Sequence, residues 1–191
     1  MKKKLTTCLY TALFLLCVTA CNNKSSYQNT EGNIEIAEML NTTRTLLFTA
    51  PDSALALLNE INRKTLTYQE QANLLYQKAF INQLRGKFDS AHSLYLQAHQ
   101  FSITANDTIL ISRILTGLGV INAMSGNIQQ SIGYWQQARL ILGSHKNAHN
   151  YLPSLYVNLA GAFSAIQQTD YAKHYIQSAI DKALAKRKYR N

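Results

Sequence analysis

The sequence predicts an all-α chain, an α-solenoid of about four antiparallel helix pairs across residues 34–185. Three observations predict it. From Ile34 onward the apolar residues recur at helical spacing, and no alternating strand pattern survives. The two prolines, Pro51 and Pro153, each sit where a helix begins, while Gly86 and Gly126 each separate two apolar stretches. The stretches also repeat one another in their order of small and large residues. Of 191 residues 47% are hydrophobic and 15% are charged, which supports one cored domain and excludes a collagen-like, coiled-coil or wholly disordered chain.

The helices follow in order. A leading helix is expected over about 34–49, and Pro51 opens the second. Thr67-Tyr68-Gln69-Glu70 fits a capping box and starts the third. Asp107 precedes the apolar run Ile109-Leu110-Ile111, another start. Residues 143–150, Gly-Ser-His-Lys-Asn-Ala-His-Asn, form the longest later loop, after which Pro153 opens a further helix. The expectation is about eight helices of roughly 11–18 residues, joined by short turns.

The helices pair. Gly86-x-Phe88-x2-Ala91-x3-Tyr95-x2-Ala98 is matched by Gly126-x-Ile128-x2-Ser131-x3-Trp135-x2-Ala138. Ala172-x3-Ile176-x2-Ala179 and Ala54-x3-Leu58-x2-Ile61 match more weakly. Upstream, Leu115-x2-Leu118-Gly119-x2-Asn122 shares its offsets with Tyr156-x2-Leu159-Ala160-x2-Phe163, and Leu75 and Ala79 hold them one copy earlier. Small residues (Ala79, Gly119, Ala160; Ala91, Ser131, Ala172) let two helices cross closely, and Tyr95, Trp135 and Ile176 are expected to fill the gap to the next pair. This pattern resembles the tetratricopeptide repeat (TPR), with a TPR-like superhelix as the implied fold. It departs from the repeat in three ways. The anchors Ala54, Ala91, Ser131 and Ala172 lie 37, 40 and 41 residues apart, above the usual length of about 34. Asn82 and Asn122 replace an aromatic residue, and the helix-breaking proline after the second helix is missing.

The N-terminus reads as an address. Lys2-Lys3-Lys4 is followed by an uncharged run from Leu9 to Val18, too short for a comfortable membrane span. Val18-Thr19-Ala20-Cys21 resembles the lipobox of bacterial lipoproteins. That resemblance implies a signal peptide over 1–20, cleavage before Cys21, and lipidation of Cys21 with several acyl chains such as palmitate. Residues 21–33, with one bulky apolar side chain (Tyr27), are then a flexible tether. The chain as a whole resembles a TPR lipoprotein of the Gram-negative envelope, at the periplasmic face of either membrane or at the cell surface. Cys8 and Cys17 fall in the removed segment, so disulfides and thiolate chemistry are excluded from the mature chain.

The net charge of +9 follows the same division, because loss of Lys2, Lys3 and Lys4 leaves +6. Residues 21–180 carry only +2, with 11 basic and 9 acidic groups. Five cations crowd residues 182–190, and 186–191 reads as a basic tail. Two readings stand for it: a solvated helix end, or contact with anionic headgroups.

For function, the TPR resemblance implies a groove lined by the first helix of each pair, taking a peptide or protein surface. The positions carried over are Asn73, Tyr76, Phe80, Gln83 and Leu84; Arg113, Thr116, Val120, Ala123 and Met124; and Ser154, Val157, Gly161, Ser164 and Ala165, with Asn158 beside the last row. For Tyr76, Phe80, Val120 and Met124, packing between pairs is an equal alternative. Arg113 and Asn73 alone are too few for a charged carboxylate clamp.

Catalysis, cofactor and metal are not expected. Gly117-Leu118-Gly119 lacks the third glycine and the strand of a dinucleotide loop, and His145 and His149 lie in a loop without carboxylates nearby. An exported chain is expected to bind no nucleic acid. The expected partners are an envelope protein or peptide, the membrane through Cys21, and a second copy through the C-terminal end. A sensor or regulatory TPR protein is the alternative function, with a glycan-binding surface lipoprotein behind it. Asp52-Ser53-Ala54, Asp89-Ser90-Ala91 and Asp107-Thr108-Ile109 resemble O-glycosylation sites of some Gram-negative envelope proteins, though helix capping explains all three and is preferred.

Overall fold

A computed structural model describes residues 34–143, 145 and 150–188. Cys21, the signal peptide, the tether and His149 lie outside them. The helices are α1 (34–46), α2 (Pro51–Glu60), α3 (Tyr68–Leu84), α4 (Phe88–Thr104), α5 (Thr108–Met124), α6 (Ile128–Gly143), α7 (Leu152–Ala165) and α8 (Thr169–Lys188). A 3-10 turn, Arg63–Thr65, joins α2 to α3. Among the described residues there is no strand. None of the described helices is long and apolar enough to cross a membrane.

The pairs are α3 with α4, α5 with α6 and α7 with α8, and each second helix packs less extensively on the first helix of the next pair. The fold is a TPR-like α-solenoid, as the spacing predicts. The first helices also touch one another, α3 with α5 and α5 with α7, which places them on the inner side of the curve. The first copy is the outlier, since α2 has only 10 residues and Ile61 ends it in extended conformation. The last helix is the longest at 20 residues and runs to Lys188, into the segment expected to be a tail. Lysine and arginine are good helix formers, and cations suit a helix C-terminus.

Four turns share one geometry. After α3, the Gly86 amide donates to the Gln83 carbonyl (3.0 Å) and the Lys87 amide to the Asn82 carbonyl (2.9 Å). The same paired bonds follow α4 at Asn106 and Asp107, α5 at Gly126 and Asn127, and α7 at Gln167 and Gln168. Each is a Schellman cap, closed by a residue of positive φ: Gly86 (71°), Asn106 (53°), Gly126 (81°) and Gln167 (60°). Asn82 and Asn122, the departures from the repeat, serve here through their main-chain carbonyls. Their side-chain amides donate back to Lys78 and Leu118.

Helix starts mostly follow the sequence. Thr67 and Glu70 form the expected capping box, and Asp107 accepts from the Leu110 amide at 2.9 Å. Asp52 and Asp89 correct the capping expectation: both lie inside the first turn and neither caps, because Ala50 and Lys87 occupy the cap positions. Asp52 instead pairs with Arg85, tying α2 to the turn after α3.

The six small anchors are all buried, as expected. The large residues behave less uniformly. Tyr95 is wholly buried and lies over Gly117, where an added Cβ would sit 2.5 Å from the ring carbon Cζ. Trp135 lies over Gly119 of its own pair, leaving no room for a Cβ, and its Nε1 donates to the Thr116 carbonyl at 3.0 Å. Ile176 fills no gap and is 52% exposed, because among the described residues no further pair covers α8.

Two glycine substitutions should move in opposite directions. Gly119→Ala forces the Trp135 indole aside and should cost about 1–3 kcal/mol by overpacking. Gly133→Ala meets nothing within 4 Å and should gain about 0.5–1 kcal/mol from helix propensity. Urea unfolding of both variants checks the pair. Gln167→Gly, which relieves a left-handed side chain, should gain up to about 1 kcal/mol in the same assay.

Candidate binding groove

The inner side of the solenoid presents one stripe along α5: Arg113, Thr116, Val120, Ala123 and Met124. Arg113 and Met124 are eleven residues apart, or about 16 Å along the helix axis. The stripe changes character along that length.

At the Met124 end is an apolar cleft of about 330 Å³, walled by Val120, Ala123 and Met124 of α5 and by Val157, Asn158, Gly161 and Ala165 of α7. Trp135 and Ile128 close it from α6. Met124 is 66% exposed and Val157 59%, high values for side chains of this size. At the Arg113 end is a polar cleft of about 500 Å³, lined by Arg113, Arg44, Gln69, Asn73, Asp107, Asn150 and Tyr151.

The expected groove residues therefore divide. Asn73 and Arg113 face the polar cleft and Asn158 the apolar one. Thr116 borders a smaller cleft with Tyr76, Arg113 and Ser154, but its hydroxyl already donates to the Ser112 carbonyl at 2.8 Å. Tyr76 is only 8% exposed, packed 5.8 Å from the Tyr95 ring centroid with the Arg113 guanidinium 4.5 Å above its face. Phe80 is half-buried and meets the Phe48 ring edge-on at 5.2 Å. Gln83 accepts a hydrogen bond from the Tyr95 hydroxyl at 2.9 Å. Tyr76, Phe80 and Gln83 thus each have a partner within the fold.

Sequence reasoning missed Arg44, Gln69, Asn150 and Tyr151. Arg44 belongs to α1, which carries no repeat motif, and Asn150 and Tyr151 border the loop before α7. It also missed the buried link between α1 and α3. There the Thr43 hydroxyl donates to Gln77 Oε1 (2.7 Å) and the Gln77 amide donates to the Leu40 carbonyl (2.9 Å). This bridge places Arg44 beside the polar cleft.

Burial pushes the Tyr95 phenol far above its ordinary value, with the neighbouring Tyr76 adding to the shift and Arg113 opposing it. Burial lowers Lys78, assisted by the nearby Arg63 charge, and burial alone lowers His99. Among the described residues no group of three or more His, Cys, Asp or Glu is placed to hold a metal ion.

The architecture and its inner groove define a TPR-like helical-repeat protein. The solved structures similar to it agree. Aspartyl phosphate phosphatase F from Bacillus subtilis superposes with a TM-score of 0.65 at 12% identity, covering 79% of this chain and 40% of that one. MamA superposes with a TM-score of 0.59 at 17% identity, covering 81% of each. The chain thus spans two-fifths of the phosphatase, and at these identities the likeness establishes the fold. No protein-family model and no curated protein sequence matches the chain.

Tyr95 gives a pH prediction. A phenol whose pKa is raised by folding stabilises fully below its unfolded value of 10.0 and loses that contribution as pH rises above it. Stability should fall above pH 10 by about 1.4 kcal/mol per unit from this group. Tyr95→Phe should flatten that alkaline slope and cost about 1 kcal/mol at neutral pH through the lost bond to Gln83. Urea titrations between neutral and strongly alkaline pH measure both effects.

Proposed function

We propose that the chain is a lipid-anchored interaction module of the bacterial cell envelope, an adaptor with no catalytic step of its own. It receives a peptide or protein segment on the inner stripe of α5. The observation that carries this reading is the apolar cleft between α5 and α7, where Met124 and Val157 stand exposed on the side where the first helices meet. Exposed side chains of this size beside a cleft are a common mark of a contact surface. The polar cleft at the Arg113 end supplies guanidinium and amide donors for main-chain or acidic groups of the same segment. A stripe about 16 Å long accommodates roughly five residues of extended chain.

Anchoring rests on the N-terminal sequence: the basic start, the apolar run and Val18-Thr19-Ala20-Cys21. With Cys21 lipidated, the tether 22–33 would hold the groove close to the membrane surface. The basic residues of 182–190 add the option of headgroup contact.

In-cell crosslinking followed by mass spectrometry tests the groove. The control variant is Met124→Asp with Val157→Asp, both at exposed positions, so circular dichroism should remain unchanged. A dominant partner lost in that variant supports the groove; a partner list indifferent to it refutes the groove. Separately, Cys21→Ala should shift the protein from the membrane fraction to the soluble fraction. Continued tight membrane association would refute lipid anchoring.

A further inference from the structure

The solenoid has two unlike ends. Two junctions along the solenoid use the same contact, a second helix against the next first helix: α4 on α5 and α6 on α7. Tyr95 fills the first of these junctions over Gly117 of α5, at 0% exposure; Trp135, at 3%, lies over Gly119 within its own pair and also borders α7. Their counterpart on α8 is Ile176, one repeat further on, at 52% exposure. Ile180 (46%) and Leu184 (57%) extend it into a stripe at i, i+4 and i+8 along one side of α8. Beside the stripe lies a cleft of about 390 Å³ shared with Val157, Gly161 and Ser164 of α7, a helix without a single charged residue. At the opposite end stands α1, a first helix with no second helix packed before it among the described residues. Ile34 (56%) is its exposed large apolar side chain, while Phe48 (76%) stands in the turn after it, edge-on to Phe80.

The charges of the two ends are opposite. On α1 itself Glu35 and Glu38 stand against Arg44 alone, while Asp52 of α2 is already paired with Arg85. Residues 169–188 hold five cations against Asp170 and Asp181. Glu35 and Glu38 on α1 and Lys173 and Lys182 on α8 are all exposed.

We propose that copies of this chain associate head to tail, with the apolar stripe of α8 in one copy seated on α1 of the next. Two independent features choose a second copy as the occupant. The contact would continue the junction that the fold already uses twice, and the charges of the two faces are complementary. Because the two faces differ, the contact is heterologous, and it extends into a row of copies unless the rotation closes a ring. The two clefts share Val157 and Gly161 of α7, but the charges reversed below lie outside the groove, so the groove reading and this one can fail separately.

Charge reversal tests the proposal in the full chain carrying Cys21→Ala. One variant adds Glu35→Lys and Glu38→Lys; the other adds Lys173→Glu and Lys182→Glu. Sedimentation velocity reads the weight-average mass against concentration. The unreversed chain should climb past the mass of a dimer, and high salt should return it toward monomer. Each reversal variant alone should remain monomeric. An equimolar mixture of the two should climb again, since both of its mixed junctions are complementary. Ile180→Asp should abolish assembly without loss of helicity. A chain that is monomeric throughout, a mass that stops at dimer, or association unchanged by the reversals would overturn the proposal.

Discussion

Close helix crossing over glycine is the constraint on which the rest depends. Two aromatic rings, Tyr95 and Trp135, lie directly on the backbone of α5 because Gly117 and Gly119 carry no side chain. That approach seats α4 and α6 on either side of α5 and makes it the most enclosed helix of the solenoid. The stripe from Arg113 to Met124 is the side of α5 onto which both clefts open. Core packing and the candidate site are thus two sides of one helix, separated by its diameter of about 10 Å.

The turns impose the second regularity. Four Schellman caps close α3, α4, α5 and α7 with the same pair of hydrogen bonds, so these four turns share one geometry. The first helices α3, α5 and α7 stay together on one side. Gln167 adopts the left-handed conformation although glycine would do so at lower cost. The cap therefore follows from the stacking and not from local preference alone.

Much of this was legible in the sequence. Small and large residues recurring at fixed offsets gave the pairs, and Pro51, Pro153, Gly86, Gly126 and Thr67 gave helix ends. These signals are local, and each has a backbone cause. What was not legible depends on long-range packing. Asn106 and Gln167 carry the same positive φ as the two glycines but show no glycine to reveal it. Tyr76 and Phe80 share the phase of Asn73, but the sequence does not show that Tyr76 packs on Tyr95 of α4 and Phe80 on Phe48 after α1. Arg44 was missed because α1 has no motif, and only the buried Thr43–Gln77 bridge shows where it points.

The contact pattern also has a consequence for motion. Helices are bound tightly within a pair and more loosely between pairs, and almost every contact joins neighbours in sequence. Such a chain folds with low contact order and opens in blocks, with the terminal blocks opening first. The α7–α8 block is terminal among the described residues, and α7 forms one wall of the apolar cleft. Detachment of that block from α6 would dismantle the cleft while leaving α3 to α6 intact. A ligand bridging α5 and α7 would then act as a clasp, protecting the amides of the last two helices from hydrogen exchange far beyond the residues it touches.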